Sequence, residues 1–120
     1  MPSPFTINLL QGSITFTFAA ESAQGLKRAI AELMQELKTT TSQQSQGGQR
    51  SRPQPKNNME YRSMGAVFFE AFCNPNIYPS PFAAKVLITV RDDKIRLSGE
   101  AELPRLIEDL NLYLANLEAD

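Results

Sequence analysis

Histidine and tryptophan are missing from this 120-residue sequence, and cysteine occurs once, as Cys73. Without histidine, the chain cannot build a Ser-His-Asp triad, a Cys-His pair or an imidazole metal ligand, which excludes the commonest hydrolase and metalloenzyme layouts. A single cysteine cannot close an intramolecular disulfide, and it does not suffice for a structural zinc site. We therefore expect Cys73 to be a buried apolar residue, with a reactive thiol as the alternative.

Nucleotide-binding motifs are also missing from the sequence. Neither GxGxxG nor GxxxxGK[ST] occurs, and Gly47-Gly48 lies in a polar stretch, away from any strand-to-helix junction that could hold a phosphate. Glu60 and Glu70 are candidates for carboxylate catalysis, but no second carboxylate is placed to form an acid–base pair with either. We predict that the protein is not an enzyme and has no cofactor, no metal and no small-molecule ligand.

Excess charge and long apolar runs are absent as well. The 12 basic and 13 acidic residues give a net charge of −1, so no overall field steers the chain to nucleic acid or to an anionic membrane. No apolar run approaches the roughly 18 residues that span a bilayer, and the N-terminal residues do not resemble a secretion signal. We expect a cytoplasmic protein without a membrane partner.

Alternating apolar and polar residues near both ends of the chain predict two β-hairpins, with turns at Gln11-Gly12 and Asp92-Asp93. In the first hairpin the predicted pairs are Leu9 with Ile14, Ile7 with Phe16 and Phe5 with Phe18. In the second they are Val90 with Ile95, Thr89 with Arg96, Ile88 with Leu97 and Leu87 with Ser98. We predict that residues 5–18 superpose on residues 86–99.

A helical apolar stripe follows each hairpin at spacings of four, three and four residues. The first stripe consists of Leu26, Ile30, Leu33 and Leu37, and the second of Leu106, Leu110, Tyr113 and Leu117. Each end of the chain therefore reads as one copy of a ββα unit. Because each hairpin has one apolar face, we predict an α+β fold of two layers, in which the duplicated units form a four-stranded antiparallel sheet with helices on one face.

The chain is predicted to form a single domain over residues 1–120. Within it we expect a first ββα unit (1–38), a flexible polar linker (39–58), an aromatic middle segment (59–83) and a second ββα unit (84–120). The linker has no aliphatic or aromatic residue, which is typical of a flexible loop. It is either a passive insertion between duplicated units or a binding arm.

The aromatic middle segment has two interpretations. A helical stripe favours a helix, and its members are Tyr61, Met64, Phe68 and Phe72. An alternating set also suits a strand, and its members are Val67, Phe69, Ala71 and Cys73. We favour the helix, followed by a proline-rich loop over residues 74–81.

The first functional hypothesis is a non-enzymatic interaction protein, an assembly or regulatory factor that binds a protein partner or forms a homodimer. It rests on apolar side chains that the duplicated unit leaves without a partner. The candidate interface residues are Phe68, Phe69, Phe72, Tyr78, Phe82 and Leu112. We predict that Phe69→Glu and Leu112→Glu weaken association before they unfold the domain.

The alternative hypothesis is nucleic-acid binding by the basic stretch 50–62. Basic side chains there would neutralise phosphates while an aromatic ring stacks on a base. The candidate contacts are Arg50, Arg52, Lys56, Arg62 and Tyr61. The net charge near zero counts against this hypothesis.

Overall fold

A computed structural model describes residues 3–45 and 57–119. It contains two helices and six strands in the described part of the chain. The elements are β1 (Ser3–Leu9), β2 (Gly12–Phe18), α1 (Ala20–Ser45), β3 (Met59–Met64), β4 (Phe68–Cys73), β5 (Lys85–Arg91), β6 (Arg96–Glu102) and α2 (Leu103–Ala119), with a short 3₁₀ turn (Pro75–Ile77) between β4 and β5. Neither described helix is long and apolar enough to cross a membrane.

The fold is α+β, with a four-stranded antiparallel sheet and two helices, as the sequence predicts. That sheet is built from other strands than we expected. Its order is β3-β4-β5-β6, so it contains the middle segment and the second hairpin but not the first hairpin. The first hairpin, β1-β2, forms a sheet of its own. A backbone hydrogen bond of 2.9 Å from the Leu10 amide to the Glu100 carbonyl brings the tip of that hairpin to the edge of β6.

The middle segment supplies half of the four-stranded sheet, so the helix that we favoured for it is wrong and the strand alternative is correct. Phe69, Ala71 and Cys73 are at most 1% exposed on the inner face of β4, and the residues between them are half-buried. The helical stripe and this alternation have no residue in common, but both fall within the same stretch of chain. Only pairing on both sides, with β3 and with β5, selects the strand period.

The register of the first hairpin differs by two residues from the predicted one. Phe5 lies opposite Phe16 and Ile7 opposite Ile14, so the turn is Leu10-Gln11 instead of Gln11-Gly12. A slip of two residues keeps every side chain on the same face of a sheet. The alternation therefore identified the buried faces but could not choose between these two registers.

The second hairpin is also shifted by two residues, since Val90 lies opposite Leu97 and Arg91 opposite Arg96. Its loop has four residues, 92–95, where we predicted two. Asp92 closes this longer loop: its amide donates to the Ile95 carbonyl at 2.9 Å, and its Oδ1 accepts the amides of Lys94 (2.8 Å) and Ile95 (2.9 Å). These carboxylate bonds favour the four-residue loop.

The predicted superposition of residues 5–18 on 86–99 is not supported. The two hairpins have loops of two and four residues and belong to different sheets. The order strand, strand, helix does occur at both ends of the chain, but the two hairpins belong to different sheets.

Both predicted helical stripes face the core. Seven of the eight stripe residues are at most 5% exposed, and Leu117 is half-buried. Helix α1 continues to Ser45, so the first seven residues of the expected linker are helical. This extension is a correction to the predicted boundary at residue 38, and it follows from the sequence, which has no glycine or proline between Gly25 and Gly47. Residues 46–56 of the linker lie outside the described part of the chain.

Aromatic rings join the two sheets in one core. The ring of Phe69 on β4 lies 5.5 Å from that of Phe16 and 5.1 Å from that of Phe18, both on β2. Phe5 lies 5.1 Å from Tyr113 of α2, whose hydroxyl donates to the Phe18 carbonyl. The first hairpin and the four-stranded sheet therefore share one aromatic core, and α2 packs on β1 of that hairpin.

A buried carboxylate fastens α2 to β1. Asp109 is 7% exposed, and its two oxygens accept hydrogen bonds from the Asn8 amide (2.8 Å) and the Asn8 Nδ2 (3.0 Å). The Arg105 Nε lies 3.5 Å from Asp109 Oδ1, which balances its charge. The acidic C-terminal helix, which the sequence suggests is a solvated face, thus contributes one buried structural carboxylate.

Candidate functional site

An apolar groove runs between the two helices and is closed at one end by the loop that precedes β5. Helix α1 contributes Met34 and Lys38, which are one helical turn apart. Helix α2 contributes residues from its first turn and a half, where Pro104 occupies a position in which its missing N–H costs no hydrogen bond. The remaining lining residues are Leu103, Ile107, Ser80, Pro81 and Phe82.

Local hydrogen bonds hold the loop that forms the third wall. The Ala83 amide donates to the Ser80 carbonyl at 3.2 Å, and the Ala84 amide donates to the Pro81 carbonyl at 3.4 Å. Ala84 is 1% exposed, and its carbonyl accepts the amide of Leu103, the first residue of α2, at 3.0 Å. The loop is therefore tied to the start of the helix that forms the opposite wall, which makes this part of the groove preformed.

Phe82 is the most exposed large apolar side chain at this site, with 83% of its surface accessible. The groove encloses about 600 Å³. That volume lies within the range of about 300–1,000 Å³ that is typical of ligand pockets. Its walls are mostly apolar, and Lys38 is the only charged side chain among the described residues that line it. The groove can therefore accept an apolar group and place a negative charge beside Lys38.

The predicted interface residues do not form one surface. Phe69 is fully buried between the two sheets, so its assignment to an interface is wrong. A glutamate at position 69 would be buried in the core, so Phe69→Glu tests folding and cannot test association. Phe68 and Phe72 are half-buried on the outer face of β4, on the opposite side of the sheet from the core. Phe68 packs under Arg91, with its ring centroid 4.3 Å from the guanidinium carbon.

The other three candidates lie in three different places. Tyr78 is half-buried, and burial raises the pKa of its hydroxyl. Leu112 is 63% exposed on α2, but it does not line the groove. Phe82 is thus the one predicted interface residue that the structure places at the groove.

The predicted nucleic-acid contacts do not form one surface either. Arg62 lies on the outer face of β3, where it pairs with Glu70 and, at 3.8 Å, with Glu60. The Tyr61 hydroxyl donates to the Ser22 carbonyl at 2.7 Å, so its ring packs against α1. Burial raises the pKa of this hydroxyl. The other three, Arg50, Arg52 and Lys56, lie outside the described residues.

Cys73 is 1% exposed, which confirms that it is a buried apolar residue. Burial raises the pKa of its thiol to about 11, so the reactive thiolate is disfavoured at neutral pH. Over residues 3–45 and 57–119, no group of three Cys, Asp or Glu side chains could hold a metal ion.

The sequence did not single out two of the groove residues, Met34 and Ile107, as site residues. Met34 follows Leu33 of the first stripe, and Ile107 follows Leu106 of the second. These adjacent apolar residues widen each stripe on one side. Both are half-buried in the structure. The two additional apolar residues are visible in the sequence, but only the packing of α1 beside α2 shows that they line the same groove.

Comparison with known proteins found no match to a protein-family model, to a curated protein or to a solved structure.

Proposed function

We propose that the protein is a non-enzymatic interaction domain that binds a segment of another protein in the groove between α1 and α2. The observation that carries the proposal is Phe82, which is 83% exposed at the rim of a preformed apolar groove. An aromatic side chain that projects beside an apolar groove is typical of the residues that contribute most to protein binding.

The chemistry of the walls defines the partner segment. Met34, Leu103 and Ile107 provide apolar contacts, so the segment should insert one or two aliphatic or aromatic side chains. Lys38 is exposed at the same site, so a carboxylate of the partner should lie next to the inserted side chain. We therefore propose an amphipathic segment with an acidic residue beside its apolar anchor.

The test uses site-specific photocrosslinking in native cells to identify the partner, followed by affinity measurement with the purified partner. A photoreactive phenylalanine analogue replaces Phe82 in one variant and Leu112 in another. We expect the analogue at position 82 to form an adduct with a different protein, and the analogue at position 112 to form none. Phe82→Ala should then raise the Kd for that protein by at least about tenfold, which corresponds to about 1.4 kcal/mol.

Leu112→Ala is the matched control, because Leu112 is also an exposed apolar residue but lies outside the groove. Its Kd should equal that of the wild type. An adduct between two copies of this chain would show instead that the groove is the contact surface of a homodimer. Equal affinity of the Phe82→Ala variant and the wild type would contradict the proposed site.

A cytoplasmic location belongs to the same proposal. The support is Cys73, the single cysteine of the chain, which is a free thiol, as is usual in proteins of a reducing compartment.

A further inference from the structure

Two arginines face each other across the outer surface of the four-stranded sheet. Arg91 of β5 lies opposite Arg96 of β6, and Phe68 of β4 lies opposite Arg91 in the next pair along the same row. Side chains of directly opposed residues in antiparallel strands are about 4.5–5.5 Å apart at Cβ, and like charges in these positions destabilise the sheet. The pair therefore has an energetic cost that a bound anion would remove.

Neither arginine has a carboxylate partner among the described residues. Both side chains are exposed, and no ion pair involves either of them. The Arg91 guanidinium carbon lies over the Phe68 ring, 4.3 Å from its centroid, and this cation–π contact supports the side chain. Arg96 has no such support.

Hydroxyl groups occupy the adjacent row of the same face. Thr89 and Ser98 are directly opposed, and their side-chain oxygens lie 3.1 Å apart. Thr89 is 5% exposed and Ser98 is exposed, so the Ser98 hydroxyl can turn toward a ligand that sits beside Arg96. The Ser98 hydroxyl therefore adds a hydrogen-bond donor next to those of the two arginines.

The neighbouring carboxylates define which side of the pair an anion can approach. Asp92 and Asp93 lie in the loop that connects the two arginines, and with Arg91 they line a cavity of about 320 Å³. Asp92 Oδ1 accepts the amides of Lys94 and Ile95 within that loop, and the two carboxylates repel an anion that approaches from the loop side. Glu70 lies in the same row as Thr89 and Ser98, and it is engaged by Arg62. Glu100 is exposed two residues beyond Ser98 on the same face of β6. An anion must therefore bind between Glu100 and the loop, over Arg96 and Ser98.

We propose that Arg91, Arg96 and Ser98 form a binding site for a phosphate monoester. Two adjacent guanidinium groups match a dianion, and a phosphate monoester carries roughly two negative charges at neutral pH. A phosphodiester carries only one, so it would leave the second arginine uncompensated. The site lies on the sheet, on elements separate from the groove between the helices, and its ligand is independent of the proposed protein partner.

The test is a titration of the full-length protein, followed by NMR amide shifts, with inorganic phosphate, AMP and adenosine at constant ionic strength. We expect saturable shifts centred on Arg96 and Ser98 with phosphate and with AMP, and none with adenosine. Tighter binding of AMP would show that the ligand is a nucleotide whose base stacks on the site. Equal binding would show that the phosphate group alone is recognised.

Arg96→Ala should raise the Kd for phosphate by about tenfold or more and should abolish the rise in melting temperature that phosphate causes in the wild type. Lys27→Ala removes an exposed positive charge from α1 and is the matched control, with an unchanged Kd. The proposal is overturned if phosphate gives no saturable shift, if adenosine binds as well as AMP, or if Arg96→Ala binds phosphate like the wild type.

Discussion

At the scale of the residue, the contact between Gly25 and Tyr61 shows why a strand side chain requires glycine in the helix that packs on it. A Cβ at position 25 would lie 2.5 Å from the Tyr61 hydroxyl oxygen and 3.0 Å from two ring carbons. The same hydroxyl donates to the Ser22 carbonyl, which holds the ring in place. Glycine in a helix interior costs about 1 kcal/mol relative to alanine. This cost is offset by the close packing of α1 on β3.

We therefore expect Gly25→Ala to destabilise the protein, although alanine is the better helix former. Overpacking costs about 1–3 kcal/mol, which exceeds the gain in helix propensity. In the Tyr61→Phe background the hydroxyl is gone, and Gly25→Ala should cost less. Free energies of unfolding in urea measure both effects. Gln24→Ala, at an exposed neighbouring position, is the control and should change stability by less than about 0.5 kcal/mol. A stabilising Gly25→Ala would contradict this contact.

At the scale of the element, the Asp109 carboxylate accepts two hydrogen bonds from Asn8 and so fastens α2 to β1. Asp109→Ala would leave the Asn8 amide and Nδ2 without these acceptors in a partly buried site. We expect a loss of about 1–3 kcal/mol in the free energy of unfolding, measured by urea denaturation. Glu108→Ala is the matched control on the same helix, because Glu108 is exposed and makes only a 3.9 Å contact with Arg105. Equal effects of the two variants would show that Asp109 does not fasten α2 to β1.

At the scale of the whole molecule, we expect Phe69 to couple the unfolding of the two sheets. Its ring contacts Phe16 and Phe18 of the first hairpin from within the four-stranded sheet. Phe69→Ala should cost about 3–5 kcal/mol, a large part of the about 5–15 kcal/mol that stabilises a typical domain. We expect the amide-exchange protection of Ile7 and of Ile88 to fall by the same amount, since these residues report on the two sheets separately.

Phe82→Ala is the control for this experiment, because its ring is 83% exposed and its loss should leave both protection factors nearly unchanged. If Phe69→Ala lowers protection of Ile88 but not of Ile7, the two sheets unfold separately and the shared aromatic core does not couple them.

Local sequence patterns were sufficient to predict the fold class, both core-facing helical stripes, the buried faces of the end hairpins and the buried position of Cys73. These features depend on local periodicity and on the burial preference of apolar groups, which one stretch of chain carries without knowledge of its neighbours. For the same reason, the sequence identified Phe82 as an apolar side chain with no assigned partner.

The tertiary structure alone decided which strands pair, in which register, and which surfaces meet. A strand keeps its buried face under a shift of two residues, so periodicity could not distinguish Arg96 opposite Thr89 from Arg96 opposite Arg91. The opposed arginines exist only because the β5–β6 loop has four residues. The groove likewise requires Met34 and Ile107 to meet from helices about 70 residues apart in sequence, and such long-range contacts follow from packing of the whole core instead of from any local pattern.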